Sequence, residues 1–319
     1  MKLPYDITPQ ILKLTAGISE KLGEVNARFL EKPSPVLRKR NKIKTIHSSL
    51  QIEGNSLTEE QITALFENKR VIGPEKDIRE VLNALEVYDK IGTFSPFSVS
   101  SFRKAHKILM KGLVEDAGRF RKKSVGIVHG REVAHMAPPA ENIPYLVKDL
   151  FHYLKEDEDP VLIKSCVFHY EIEFIHPFAD GNGRMGRLWQ TVILMNKFPV
   201  FEYLPFESLI SKTQEDYYQA LMQSDRAASS TPFIEYLLHV VDLALQDLLR
   251  NRVKKLTTKE RLEYLLGLNI KDFSRKDYLN IFKNISTSTA SRDLKKGVEM
   301  GLLQVSGSKN KTKYSIIKE

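Results

Sequence analysis

Cysteine is almost absent from this chain of 319 residues, which has only Cys166. An intrachain disulfide is therefore excluded as a source of stability. Cys166 falls beside the apolar stripe of an expected helix and reads as a small core residue, not a nucleophile. Long apolar runs are missing too. No uncharged stretch approaches the roughly 18 residues that a membrane-spanning helix needs, and no N-terminal apolar signal region is evident. Neither secretion nor membrane spanning is expected, and a cytoplasmic protein is. Internal repeats and low-complexity segments are also lacking. The length allows two or three domains.

Excess charge is missing from most of the chain. The formal net charge is +9, from 49 Lys and Arg against 40 Asp and Glu. Residues 252–319 hold 16 Lys and Arg against 7 Asp and Glu, which leaves 33 of each sign in residues 1–251. The whole excess lies in the last fifth of the sequence. Residues 237–249 are apolar-rich and helical in pattern, and residues 250–255 read as a junction.

What the chain does have is concentrated in one run, His176-Pro177-Phe178-Ala179-Asp180-Gly181-Asn182-Gly183-Arg184-Met185-Gly186-Arg187. Each residue type in it suits phosphate chemistry. Imidazole accepts a proton near neutral pH, and a carboxylate can hold Mg²⁺. Glycines let backbone N–H groups close around an anion, and guanidinium forks grip phosphate oxygens in pairs. A turn of purely structural purpose needs no base, carboxylate and arginine pair around it.

The flanks place these groups between two helices. Asp159-Pro160 looks like an N-cap followed by proline in the first turn, and Ile163, Val167, Tyr170 and Phe174 recur at helical spacing. Pro177 disfavours helical dihedrals at His176, so this helix is expected to end there. A second helix is expected to open near Arg184 and to carry Leu188, Trp189, Val192, Ile193 and Met195. Its N-terminus would be an anion site.

At these residues the chain resembles the Fic family, whose signature is His-x-Phe-x-(Asp/Glu)-Gly-Asn-Gly-Arg-x-x-Arg. Every defined position matches. The resemblance implies a mainly α fold: a helical core with a small β-hairpin flap, spanning about residues 96–250 after an N-terminal helical region at 1–95. It implies a protein adenylyltransferase that takes ATP with Mg²⁺ and moves AMP to a Ser, Thr or Tyr hydroxyl of a target protein. By the same resemblance His176 is the general base, Phe178 a core anchor, and Asp180 the Mg²⁺ ligand. Gly181, Asn182 and Gly183 form the anion hole, and Arg184 and Arg187 hold the triphosphate, Arg187 chiefly at the γ-phosphate.

Upstream, residues 41–54 read as an amphipathic helix with Ile43, Ile46 and Leu50 on one face. Gly54 is placed to end it, and Thr58-Glu59-Glu60-Gln61 has the form of a capping box. Ser49 and Glu53, four apart, share a face. An ordinary capped surface helix is one reading. The other comes from resemblance: Ser49-Leu50-Gln51-Ile52-Glu53-Gly54 matches the Fic inhibitory pattern (Ser/Thr)-x-x-x-Glu-(Gly/Asn). That implies an autoinhibited enzyme in which Glu53 pairs with Arg187 and denies it to the γ-phosphate. Removing this exposed or semi-exposed charge is expected to leave folding nearly intact.

Between the motifs, Gly118-Arg119-Phe120-Arg121 and Val125-Gly126-Ile127-Val128 suggest a turn into an extended piece, closed by His135-Met136-Ala137-Pro138-Pro139. This is either a plain hairpin or, by resemblance, the flap that aligns a target chain by strand addition. His129 and His135 read as loop histidines, not metal ligands.

The basic tail, residues 251–319, has its own pattern. Leu262, Leu265, Leu266 and Leu268 mark a first helix, residues 274–282 a second, and residues 290–300 a third carrying Arg292, Lys295 and Lys296. Residues 301–305 and 313–317 alternate like two strands around a turn at 306–310. Three helices and a hairpin resemble a winged helix-turn-helix domain, which implies duplex DNA bound through residues 252–319 or else a protein-docking or dimer module. Two functions follow: an autoinhibited adenylyltransferase, or a DNA-binding transcriptional regulator whose Fic core senses nucleotide. The intact His176, Asp180 and Arg187 favour the enzyme, because a sensor needs no base. The partners expected are ATP, a hydroxyl-bearing target protein and duplex DNA, with a homo-oligomer open and no membrane.

Overall fold

The computed structural model describes residues 3–28, 35–129, 132–251, 257–266, 270, 272–282, 285–307 and 312–317. The chain divides into two compact units, Met1–Lys32 with Lys39–Arg250, and Pro33–Arg38 with Asn251–Glu319. No helix among the described residues is long and apolar enough to cross a membrane.

The larger unit is helical: α1 (Pro9–Arg28), α2 (Pro35–Ile52), α3 (Glu59–Phe66), α4 (Glu75–Asp89) and α5 (Val99–Leu109), then α6 (Ile143–Glu156), α7 (Val161–Ile175), α8 (Asn182–Lys197), α9 (Glu207–Lys212), α10 (Gln214–Ala227) and α11 (Thr231–Asn251). Helix α7 is buried on nearly every side, with Leu162, Val167, Phe168 and Ile172 all at 3 % exposure or less. A helix apolar all round belongs in the centre of a core. Helix α8 packs beside it through Met185, Leu188, Trp189 and Ile193. Phe102 of α5 wedges against α8 and the α7–α8 loop, edge-on to Trp189 at 5.1 Å and tilted against Phe178 at 5.3 Å. Phe178, fully buried, thereby fixes the connection between α7 and α8. Burying such a ring stabilises by about 1.5–3 kcal/mol. Cys166 is buried in α7, and burial pushes its thiol up to about 12, which removes it as a nucleophile.

Helix boundaries depart from the sequence reading by small, explicable shifts. Pro160, not Asp159, is the N-cap of α7, and the Asp159 carboxylate is instead taken by the hydroxyls of Tyr5 and Tyr153. Helix α8 opens at Asn182 because Gly181 adopts φ 82° as its N-cap, two residues before the expected start. Helix α2 begins at Pro35, where proline suits a first turn. It ends at Ile52, and Gly54 at φ 86° turns the chain out of it. Thr58 and Gln61 form the expected reciprocal box at the start of α3.

Strand β1 (Gly126–His129) pairs antiparallel with β2 (Glu132–Met136), Gly126 opposite Met136 and His129 opposite Glu132, with the register broken between Ile127 and Val128. His129 and His135 thus lie on strands and not in a loop.

The smaller unit contains α12 (Thr258–Leu266), β3 (Asp272–Phe273), α13 (Arg275–Ile281), α14 (Thr287–Glu299), β4 (Leu303–Ser306) and β5 (Lys313–Ile316). Its sheet has the order β3-β5-β4, all antiparallel. Leu262, Leu265, Phe273, Tyr278, Leu294 and Leu303 form a separate core. Ser274 caps α13 in a box with Asp277. Strand β3 is unforeseen, being only two residues long. The expected junction beyond residue 251, Leu268, and the hairpin tip from 308 to 311 lie outside the described residues.

Candidate active site

The loop between α7 and α8 is shaped by its own side chains. His176 ends α7 in the left-handed region, φ 50° and ψ 59°. For a residue with a Cβ this costs roughly 1–2 kcal/mol, so neighbouring contacts must hold it. Asn182 supplies one set. Its Oδ1 accepts from Phe178 N at 2.9 Å and its Nδ2 donates to Phe178 O at 3.0 Å. The side chain is thereby held to the loop, and the backbone N–H of Asn182, at the open end of α8, faces where an anion would bind.

Arg121 supplies the other set. Buried just before the hairpin, it donates through Nε to His176 O at 2.7 Å, and through Nη2 to Ile175 O at 3.3 Å. It also donates to Lys123 O through Nη1 and to Pro138 O through Nη2, both at 2.7 Å. One guanidinium therefore ties both ends of the β1–β2 hairpin to the backbone of His176. Nothing in the sequence pattern set this arginine apart from its neighbours.

An open cavity of about 370 Å³ lies over this loop. Glu53, Glu173, His176, Asp180, Gly181, Asn182, Gly183 and Arg187 are among its lining residues, and Tyr170, Phe174, Leu221 and Met222 add apolar surface. The structure thus gathers most of the expected residues from α2, the α7–α8 loop and α8. Arg184 is not among the lining residues.

His176 Nδ1 lies 3.4 Å from Glu173 O. A carbonyl can only accept, so this contact favours the proton on Nδ1 and leaves the Nε2 lone pair for a base. Burial lowers the imidazole pKa, against the opposing pull of the Glu173 carboxylate. His176 is accordingly neutral at neutral pH.

Arg187 is 1 % exposed. Its Nε donates to Ser49 Oγ at 3.1 Å, and its Nη2 to Ser49 O at 3.0 Å and to Glu53 Oε1 at 2.7 Å. Burial works against its charge, but Glu53, Tyr217 and Glu173 together outweigh that and raise the pKa above its usual value. A Cβ built on Gly183 would meet Glu53 Oε1 at 2.7 Å and Arg187 Nη1 at 3.2 Å, so only glycine leaves room for this pair. The carboxylate consequently sits over the first turn of α8, where free N–H groups and the helix dipole favour negative charge.

Two further groups were missed in the sequence. Glu173, three residues before His176 and so on a neighbouring face of α7, accepts from Tyr217 OH at 3.1 Å; that spacing is the signal that could have found it. His106 on α5 stacks on Phe178 with centroids 3.6 Å apart. It accepts from Gly118 N through Nδ1 at 2.8 Å and contacts Asp180 O through Nε2 at 3.0 Å. Burial drives its pKa down to about 4, so it is neutral, with its proton on Nε2.

Asp180 is half exposed, and its Oδ1 accepts from Gly181 N and from Arg184 Nη2. No group of three or more His, Cys, Asp or Glu side chains suited to a metal occurs among the described residues. A single cavity-lining carboxylate nevertheless fits Mg²⁺ arriving with a nucleotide, since that ion takes one or two carboxylates and fills its shell with phosphate oxygens and water.

A family model described as Fic/DOC family matches residues 96–194. The chain is similar to a solved Fic family protein from Desulfovibrio desulfuricans G20, with 37% identity and a TM-score of 0.76, covering 100% of this chain and 99% of that one. It is also 26% identical over 255 residues to Protein adenylyltransferase Fic of Nematostella vectensis, covering 72% of this chain and 55% of that protein. With Protein adenylyltransferase fic-1 of Caenorhabditis elegans the identity is 27% over 216 residues, 63% of this chain and 40% of the other. The chain spans about half the length of these curated relatives.

Proposed function

The chain belongs to the Fic family, and from that premise we propose that it is a protein adenylyltransferase held in check by its own Glu53. The observation that carries this reading is the Glu53–Arg187 pair, 2.7 Å long, inside the cavity that also holds His176 and the glycine turn. An anion-binding helix end, a neutral imidazole and a buried arginine are the parts that nucleotidyl transfer requires. The carboxylate among them occupies a place suited to phosphate.

In the active form the phosphates of ATP take the N-terminus of α8, using the backbone N–H groups of Asn182 and Gly183, while that of Gly181 stays on Asp180. Arg187, freed from Glu53, turns its fork to the γ-phosphate. Asp180 is the residue that would hold Mg²⁺, which neutralises phosphate charge when bound. The hydroxyl of a target Ser, Thr or Tyr attacks the α-phosphorus as Nε2 of His176 takes its proton. The bond between the α-phosphorus and its bridging oxygen breaks, and pyrophosphate leaves with that electron pair. The β1–β2 hairpin, tied by Arg121 to His176, is suited to present a target backbone by strand addition. In the inhibited form one guanidinium fork serves one planar partner, so Arg187 cannot serve Glu53 and a γ-phosphate together. Misplacement of phosphate by on the order of 1 Å costs about 100-fold in rate.

The deciding experiment incubates the full chain and its Glu53→Gly variant with α-³²P-labelled ATP and a cell lysate. Covalent label on protein, much stronger with the variant, is expected. ATP binding without covalent label from either form would refute adenylyl transfer, and equal label from both would refute the brake.

Helix α14 favours a second partner, duplex DNA. Ala290, Leu294 and Gly297 are buried while Arg292, Lys295 and Lys296 are exposed, so the basic side chains share the outward side. Such a face neutralises phosphates without sequence preference. In this reading the tail selects where the enzyme acts. The pure regulator with a nucleotide-sensing core is less well supported, because it gives His176 no task.

A further inference from the structure

Arg184 stands next to the nucleotide cavity yet is turned away from it. Its Nη1 donates to Glu80 Oε1 at 2.9 Å, and its Nη2 to Asp180 Oδ1 at 3.1 Å. The Arg184 and Glu80 side chains are 5 % and 6 % exposed, whereas Asp180 is 50 % exposed. Glu80, on α4, has its second oxygen engaged as well, accepting from Asn55 Nδ2 at 2.8 Å. Asn55 is pinned in turn, donating to Asp77 O at 3.1 Å and accepting from Leu57 N at 3.1 Å. Both oxygens of Glu80 are thus fixed, and with them the direction of the Arg184 fork.

Charge balance gives this arrangement a purpose beyond joining α4 to α8. A buried guanidinium needs one carboxylate to balance it, and Glu80, equally buried, meets that need. Asp180 is a second carboxylate on a cation already balanced. It is held through one oxygen, and its side chain is half exposed at the cavity edge. Without Glu80, Arg184 would have to draw its whole balance from Asp180, and that carboxylate would be spent on the arginine.

We propose that Glu80 is a positioning residue that, by balancing and aiming Arg184, keeps the Asp180 carboxylate oriented and available for a divalent cation brought by a nucleoside triphosphate. Arg184 then acts through Asp180 and is not itself a ligand of the triphosphate. This rests on the nucleotide-transfer reading of the site. Partners that orient a metal-binding carboxylate typically influence metal affinity by 10–100-fold.

The test measures ATP binding by calorimetry while Mg²⁺ is varied, with the full chain carrying Glu53→Gly as parent. Adding Glu80→Gln is expected to raise the Mg²⁺ concentration for half-maximal binding about tenfold and to leave Mg²⁺-free ATP binding unchanged. Arg184→Lys is expected to shift the Mg²⁺ requirement likewise. A triphosphate ligand would instead show itself as weaker Mg²⁺-free binding in that variant, which would overturn the proposal. Unchanged Mg²⁺ dependence in Glu80→Gln would overturn it too. Should Glu80→Gln unfold, Asn55→Ala loosens Glu80 without touching the arginine, and it should shift the Mg²⁺ requirement in the same direction. No shift there is again a refutation. A parent that binds no ATP at any Mg²⁺ concentration would remove the nucleotide reading itself, a result distinct from failure of the variants alone.

Discussion

Arg187 and Glu53 meet at 2.7 Å across 134 residues of sequence, the arginine almost wholly buried and the glutamate a quarter exposed. Two bonds to Ser49 accompany that contact, so one side chain of α8 makes three bonds to the end of α2. The pair therefore contributes to the packing of α2 as well as to the chemistry of the cavity.

Glu53→Gly should accordingly lower stability by about 1–3 kcal/mol, the cost of leaving a buried polar group without its partner. The sequence reading expects almost no change, because it could not place Arg187 in the interior. ATP should restore the loss, giving a larger rise in melting temperature for the variant than for the wild type. Equal shifts for the two proteins by scanning calorimetry would contradict this. Arg187→Ala should not be rescued by Glu53→Gly in the labelling assay.

His176→Ala should abolish transfer and leave ATP affinity unchanged within about twofold, since imidazole acts on the incoming hydroxyl. The base must be neutral to work, and burial lowers its pKa below the ordinary 6.5. In the Glu53→Gly background the rate should therefore rise with pH along a limb centred below 6.5 and be flat at 7 and above. A limb centred at or above 7 in the pH–rate profile would assign the titration to another group.

Arg121→Lys should reduce kcat by about 10–100-fold, because the loop carrying His176 and the ends of the hairpin lose their shared clamp. ATP affinity should hold, as Arg121 reaches no cavity residue but His176, and that only at its carbonyl. Isothermal titration beside steady-state rates separates the two effects, and a matched loss in both would mean general unfolding instead.

His106 provides a stability test. Its folded pKa of about 4 lies below the ordinary imidazole value of 6.5, so the unfolded chain binds more protons between these values. Its contribution is fully present above pH 6.5 and is lost as pH falls toward 4, up to about 3 kcal/mol at 1.36 kcal/mol per unit. The wild-type protein should lose more stability between pH 7 and pH 5 than His106→Gln does. Chemical denaturation of both at the two pH values checks this, and parallel losses would exclude His106 as the cause.

For the basic face of α14, binding of the full chain to a short DNA duplex should weaken steeply with salt. Arg292→Ala, Lys295→Ala and Lys296→Ala together should flatten the slope of log K against log salt by about 2–3, at roughly 0.9 per phosphate contact. Fluorescence anisotropy reads the slope directly. Absence of binding at low ionic strength would leave the tail as a protein-docking module.

The sequence by itself determined the local pieces. Proline and glycine punctuation ended α7 at Ile175 and turned the chain at Gly54, and Thr58 with Gln61 marked the start of α3. These signals act within a few residues, through steric limits and capping bonds that do not depend on the rest of the fold. The family signature likewise marked residues that line one cavity, Arg184 excepted. The pairing of Arg187 with Glu53 from the end of α2 was implied by the inhibitory pattern. Tertiary structure alone decided the use of Arg184, three residues earlier on the same helix, which is balanced by Glu80 from α4 and not given to the triphosphate site. It also selected Arg121 and His106, whose partners lie tens of residues away or on the other side of the loop. A guanidinium or imidazole takes its role from whichever acceptors packing brings within about 3 Å, and helix packing is settled by the whole core.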